Sequence, residues 1–464
     1  ATRRTLLTAR AWLAETLKSY KTSNVCRFPS GESHATTHGW VDAVAKLASD
    51  TAWEVSLPCV KAAAGICYNN VQLKRLVKRR FKALFEHDRR PTRWYLEART
   101  LGRKPGPYVF TRMFLACCNI VGTSRVTTVP KDASVDRVIT CEPFWNMVVQ
   151  LSIAQDLRNC LKSTRGIVLE TAQDLHRSLI ANGNIATIDF SNASNSNWLC
   201  WLRFLWPPKV LEKILCARTG VFETVDADGN VEYHPVNMLA PMGCGFTFEV
   251  MTLTLFALSR TLAGGSRVFG DDVIINSAVA CEFIDVMSFL GWQINTKKTF
   301  VEGNFRESCG GFYSLNDRCH IVCYDLTWPV SIGDVFLTIQ KMERILRAKQ
   351  VSNRLRSILS RSYVKLLHLI PRDAIAGPSQ HFEDSFCPTE LAPYLKKEDR
   401  MTIYQKCLIQ FQWSYTSLIS TYGYRQQSRP VKDHESFCST VASFYAMRSH
   451  NRITSRKKET KLVR

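Results

Sequence analysis

Between Arg267 and Ser277 two short β-branched runs flank the tip Phe269-Gly270-Asp271-Asp272, and this stretch restricts the fold more than any other. β-Branched residues favour strands, and a glycine at a tip gives the backbone the freedom a tight turn needs, so the segment predicts a hairpin. Two adjacent carboxylates between apolar strands are costly unless something cationic compensates them. A pair of Mg²⁺ ions, hard cations that prefer oxygen ligands, would do so. Taken alone the pair proves little, because Asp is an ordinary turn residue. A second acidic position gives it weight. Asp189 ends the apolar run Ile185-Ala186-Thr187-Ile188, 82 residues upstream of Asp271. A strand there could lie beside the hairpin, and two-metal phosphoryl transfer needs carboxylates from separate strands around ions about 3.5–4 Å apart. The small polar residues after Asp189 leave a turn or helix cap as its other reading.

The rest of the chain narrows the partner. Lys and Arg total 61 against 40 acidic residues in 464, a net charge of +21, in a sequence that is 45% hydrophobic. Such a surplus points to a polyanion, with nucleic acid first and an anionic membrane second. The longest apolar stretch, Tyr108 to Gly122, carries Arg112 and is too short to span a bilayer. Residues 1–20 read as a basic amphipathic helix without a signal peptide or an initiating Met. The 17 irregularly spaced cysteines predict free thiols in a reducing compartment. Cys319, His320 and Cys323 have no second ligand pair to make a zinc site.

From Lys74 to Lys104 lie 12 basic and 3 acidic residues, interleaved with Phe81, Phe85, Trp94 and Tyr95. The cations suit phosphates, while the aromatics could equally stack on bases or form a buried stripe. Trp206-Pro207-Pro208 predicts a helix start, and Gly243 to Arg260 a glycine-rich loop entering an apolar helix. Val335, Ile339, Met342 and Ile345 fall at helical spacing. Beyond them come further helical patterning, a loop with four prolines between Pro371 and Pro393, and the basic tail from Arg452 to Arg464.

Six segments in order resemble the leviviral RNA-directed RNA polymerases, the replicases of small RNA bacteriophages. IATIDFSNASNSNW resembles their motif A, PMGCGFTFE the motif B loop, VFGDDVI motif C and LGWQINTKKTFVEG motif D. FRESCGGFY is similar to the motif that follows, and TVPKDASVDRVITCEPFWNMVVQ to the fingertip motif F. The matches run from about Thr127 to Arg347.

The resemblance implies an α+β right-hand polymerase with fingers, palm and thumb and an antiparallel palm sheet backed by helices. Residues 1–180 would be the N-terminal region and fingers, 181–325 the palm with an inserted finger segment, and 326–464 a helical thumb and basic tail. Asp189 and Asp271 become the principal ligands of two Mg²⁺ ions, for which Mn²⁺ could substitute, and Asp272 the secondary one. Lys131 and Arg137 would hold the triphosphate, which suits a Lys point charge and an Arg fork. Lys298, beside Lys297, would protonate the departing pyrophosphate. Gly243, Gly245 and Thr247 would let template and nucleotide approach closely. Asn195 stands where the family usually has a carboxylate that recognises the ribose 2′-hydroxyl, and Cys244 where relatives carry Asn at a ribose or template contact. Implied partners are template and product RNA, nucleoside triphosphates, host elongation factors Tu and Ts and a ribosomal RNA-binding protein, in the cytoplasm of a bacterial host. Two other readings are a reverse transcriptase-like polymerase and a noncatalytic RNA-binding protein. The second gives no reason for three acids in this order.

Overall fold

The structure is a computed structural model. It describes residues 2–368, apart from 30, 37–42, 86–88, 131–135, 227, 322–325, 327–328, 330–331 and 348–350. Two compact units divide the chain, residues 1–322 and 323–464.

The first unit opens with α1 (Thr2–Thr16), the amphipathic helix that the sequence predicts. Thr5, Ala9, Leu13 and Thr16 form its buried stripe, at the three- and four-residue spacing of one helix face. Two helices carry most of the basic segment. The side chain of Asn70 caps α2 (Val71–Leu84) by accepting from the backbone N–H of Gln72 and Leu73, and Pro91 fits the first turn of α3 (Arg90–Thr100). Leu73, Leu76, Val77 and Phe81 of α2 turn inward. Phe81 also packs on Phe85 at 5.0 Å and on Trp94 at 5.9 Å, with the Arg90 guanidinium 4.4 Å above Phe85. Three of the four aromatics thus engage one another, and only Tyr95 is left largely exposed.

Next come β1 (Thr123–Pro130) and β2 (Asp136–Cys141), paired antiparallel. The 22-residue helix α4 (Phe144–Arg165) follows and ends at Gly166, whose φ of 66° is the left-handed C-cap conformation glycine accepts without strain. Its Trp145 meets Trp53 and Phe114 edge-on at 5.1 and 5.2 Å, in the core. After β3 (Ile185–Ile188) a helix begins at Pro208, as the paired prolines predict. Then β4 (Val221–Val225) and β5 (Val231–Pro235) complete a four-stranded sheet of order β2-β1-β4-β5, with β1 and β4 parallel.

Helix α5 (Thr247–Leu262) is the apolar helix predicted after the glycine-rich loop, buried continuously from Glu249 to Ser259. Covered on all sides, it lacks the polar face of a surface helix. Trp12 of α1 stacks on its Phe256. The predicted hairpin follows as β6 (Arg267–Phe269) and β7 (Asp272–Asn276), with β7 central in a three-stranded sheet of order β3-β7-β6. A meander of β8 (Phe305–Ser308), β9 (Gly311–Ser314) and β10 (Cys319–Ile321) closes the unit.

In the second unit α6 (Ile332–Arg347) and α7 (Asn353–Leu367) form a helical pair. The helically spaced Val335, Ile339, Met342 and Ile345 pack with Leu359 and Tyr363, as their period predicts. The four-proline loop and the basic tail lie outside the described residues. Every described cysteine is free, and no described helix is long and apolar enough to cross a membrane. Cys323 is outside the described residues, and the His320 ring packs edge-on against Tyr313.

Candidate active site

The register of two strands decides which acids meet. β3 and β7 run antiparallel with Ile188 opposite Val273, and one further step brings Asp189 alongside Asp272. Phe269 pairs with Asp272, leaving Gly270 and Asp271 as a two-residue loop. Gly270 has φ of 63°, which suits the first position of such a turn. Its N–H donates to Thr252 Oγ1 at 3.0 Å, and a Cβ there would come within 3.0 Å of the Phe248 ring, so α5 fixes the tip from behind. Asp189 directly follows the last strand residue, Ile188, and the next helical turn has Asn192 at its N-cap, so Asp189 is not a helix cap.

The acids feel one another. Burial pushes the Asp189 carboxyl up and the negative charge of Asp271 adds to it, against the amide of Asn295 and the charge of Lys298. Burial likewise pushes Asp272 up to about 6, opposed by the Cys309 backbone N–H. Asn295 Nδ2 donates to Asp189 Oδ2 at 2.7 Å, and Ser308 Oγ reaches Asp272 Oδ1 at 3.4 Å. The backbone N–H groups of Asn295 and Asp189 bond to Asp189 O and Thr299 Oγ1, which pins the loop after the Gln293–Ile294 strand onto the end of β3. Lys298, more than half exposed, lies 3.7 Å from Glu307 on β8. Among the described residues no group of three or more His, Cys, Asp or Glu side chains is placed to hold a metal ion.

The loop before α5 is built against β2. Gly243 has φ of 108°, and a Cβ there would run into the Thr140 backbone, whose N–H and hydroxyl both donate to Met242 O. A Cβ on Gly245 would press on Gln150 and Leu151 of α4 at 3.2 Å, and its N–H donates to Gln150 Oε1 at 2.7 Å. At both glycines the space a Cβ would need is taken by neighbouring protein atoms. Thr247 spends its hydroxyl on the loop carbonyls of Pro241 and Cys244. Cys244, which stands where relatives carry Asn, turns inward, 6% exposed, with Sγ 3.5 Å from Glu142 Oε1. Asn195 is half-buried in a short 3₁₀ turn just past Asp189, and its side chain makes no hydrogen bond among the described residues. Arg137 stands exposed on β2 opposite Val129, three residues or about 10 Å from Thr140. Lys131 lies outside the described residues.

Residues 2–344 match the family model of the RNA replicase beta-chain. The chain belongs to that family. Among its relatives, the RNA-directed RNA polymerase subunit beta of Enterobacteria phage SP is 36% identical over 202 residues, 41% of this chain and 34% of the relative. That of Qbeta virus (strain MX1) is 34% identical over 246 residues, covering 50% and 41%. The RNA-directed RNA polymerase beta chain of Enterobacteria phage fr is 31% identical over 271, covering 56% and 47%. The chain thus spans between a third and a half of the length of these relatives. The match to the solved RNA-dependent RNA polymerase of a human picorbirnavirus covers 53% of this chain and 56% of that one, at 15% identity and TM-score 0.36.

Several residues of this replicase beta-chain family member escaped the sequence reading. Asn295, Thr299, Glu307 and Ser308 all touch Asp189, Lys298 or Asp272. They lie inside the segments that carry the resemblance, yet nothing in their type or spacing sets them apart from ordinary turn and strand residues. Glu142 escaped too: 1% exposed, it accepts from the N–H and hydroxyl of Thr219 and faces Cys244. Its signal was available, since an acid between a strand and the apolar start of a helix needs partners.

Proposed function

We propose that this chain carries the catalytic centre of an RNA-directed RNA polymerase that copies a viral RNA genome by two-metal-ion nucleotidyl transfer. The observation that carries the reading is the β3–β7 register, which puts Asp189 beside the Asp271–Asp272 tip from a distant part of the sequence. The mutually repelling, part-buried carboxylates suit a divalent cation. Mg²⁺ is commonly held by one or two carboxylates, with water and substrate phosphate completing its shell, so a full protein cage is not required. Asp189 and Asp271 would hold the ions, with Asp272 behind them and Mn²⁺ as a substitute. Bound there, the pair would lower the pKa of an attacking 3′-hydroxyl and neutralise charge on the leaving pyrophosphate.

The remaining chemistry belongs to the chain. Lys298, beside Glu307, donates a proton to the departing group. Arg137, with Lys131 before it in the sequence, binds the triphosphate. Asn195 offers an amide to the ribose 2′-hydroxyl, and the loop of Gly243, Gly245 and Thr247 sets the wall of the nucleotide site. In this reading residues 1–180 hold the fingers, 181–325 the palm and 326–464 the thumb of a right hand. The partners are template and product RNA and nucleoside triphosphates, with host elongation factors Tu and Ts and a ribosomal RNA-binding protein, in the cytoplasm of a bacterium.

The test is Asp271→Asn on a short primed RNA with Mg²⁺ and ribonucleotides. Incorporation should fall below detection while RNA affinity stays within about twofold, since one side chain of roughly equal size has changed. Equal synthesis by both proteins would refute the assignment. Deoxynucleotides used as readily as ribonucleotides would favour a reverse transcriptase instead.

A further inference from the structure

Behind the acidic tip lies a buried polar chain that the proposed chemistry does not use. His176, on the Ala172–Leu179 helix, is fully buried, and its Nδ1 lies 2.8 Å from Ser308 Oγ. Ser308 Oγ in turn reaches Asp272 Oδ1 at 3.4 Å. The three residues come from separate parts of the chain and meet only because β8 lies against the Asp-bearing sheet. A serine hydroxyl has one proton to give. If it goes to the carboxylate, the stronger acceptor, His176 must donate from Nδ1. Nε2 is then a bare lone pair, and that atom is buried with no hydrogen-bond partner among the described residues. Leaving a ring nitrogen so costs free energy, which makes the arrangement hard to explain as packing alone.

Two further features point the same way. Ser308 pairs with Gly311, and the two turn residues between them, Cys309 and Gly310, have φ of 51° and 68°. A non-glycine residue in the left-handed region is strained, and Cys309 directly follows Ser308, whose hydroxyl reaches Asp272. The imidazole is also kept neutral, by burial and then by the charge of Arg267. A cation in its place would pair with Asp272 and spend its negative charge. A neutral donor orients the carboxylate and leaves the charge for another cation.

We propose that His176, through the Ser308 hydroxyl, is a positioning residue for Asp272 and thereby sets how tightly the carboxylate cluster holds a divalent cation. The inference rests on the polymerase reading only in taking that cluster as the cation site. Supporting groups of this kind typically change metal affinity about 10- to 100-fold when removed.

The experiment uses the full chain and three variants, Ser308→Ala, His176→Phe and His176→Asn. The Asn amide nitrogen can take the place of Nδ1, while Phe keeps the ring and removes the donor. Two readouts are taken at matched folded fraction, judged by circular dichroism. One is displacement of Tb³⁺ luminescence by Mg²⁺ without nucleotides, and the other is the Mg²⁺ dependence of incorporation on primed RNA. Ser308→Ala and His176→Phe should need about tenfold more Mg²⁺ in both, with nucleotide KM unchanged at saturating Mg²⁺, and His176→Asn should recover most of the loss. Mg²⁺ curves that superimpose on the parent, or an Asn variant no better than Phe, would overturn the relay while leaving the polymerase reading intact. A parent that binds Mg²⁺ no better than its Asp271→Asn variant would overturn both.

Discussion

Gly243 shows what one missing side chain does. Its φ of 108° lies where L-residues are strained, and the space a Cβ would need is filled by Thr140 backbone. Gly243→Ala should therefore cost about 1–3 kcal/mol of stability from backbone strain, plus a shift of the loop off β2. Gly264→Ala is the control, because nothing lies within 4 Å of the added methyl and its φ is ordinary. Urea denaturation of the two variants checks the pair, and equal midpoints would refute the account. Gly270 could be read from sequence, since a tip between two β-branched runs demands it. The requirement at Gly243 could not, because the atom that forbids a side chain belongs to a residue 103 positions earlier. The same holds for Ser308 and Asn295, whose partners are distant in sequence and leave no periodicity to find.

At the scale of elements, repeating patterns were legible and pairings between elements were not. Helix α6 follows from the spacing of Val335, Ile339, Met342 and Ile345, and the hairpin from its turn. The parallel pairing of β1 with β4, which ties two distant segments into one sheet, has no local signature. His34 fastens that sheet to the N-terminal segment. Its Nδ1 and Nε2 lie 3.0 Å from Glu54 and from Glu223 of β4, so the protonated ring can donate to a carboxylate from each nitrogen. The hydrogen bond to Glu54 outweighs burial and raises the His34 pKa above 6.5. A raised folded pKa means the contribution is complete below pH 6.5 and is lost as pH climbs through the folded value. His34→Gln should thus cost about 1–2 kcal/mol more at pH 6 than at pH 9, as expected for hydrogen bonds to charged groups. Paired melting curves at the two pH values check this, and a pH-independent loss would show that the imidazole acts as a neutral spacer.

For the molecule as a whole, the surplus of +21 has to be exposed somewhere, and α2 carries part of it on one face. Arg75, Lys78, Arg79 and Lys82 fall at i, i+3, i+4 and i+7, all exposed, and Lys78, Arg79 and Lys82 have no carboxylate partner among the described residues. The inward face of Leu73, Leu76, Val77 and Phe81 holds the helix, so reversing those three charges should leave the fold intact. What should change is the long-range field. If the face tracks a single strand, Lys78→Glu, Arg79→Glu and Lys82→Glu together should weaken RNA binding about tenfold or more near 100 mM salt. They should also flatten log K against log salt by about 0.7 for each phosphate left unneutralised, or roughly 2 in all. Incorporation at saturating primed RNA should be unchanged, because no acid of the tip is altered. Fluorescence anisotropy across a salt series separates the possibilities: a solvated face that meets no RNA gives superimposable slopes, while a change confined to incorporation would mean that the face acts on the chemistry and not on the path of the strand.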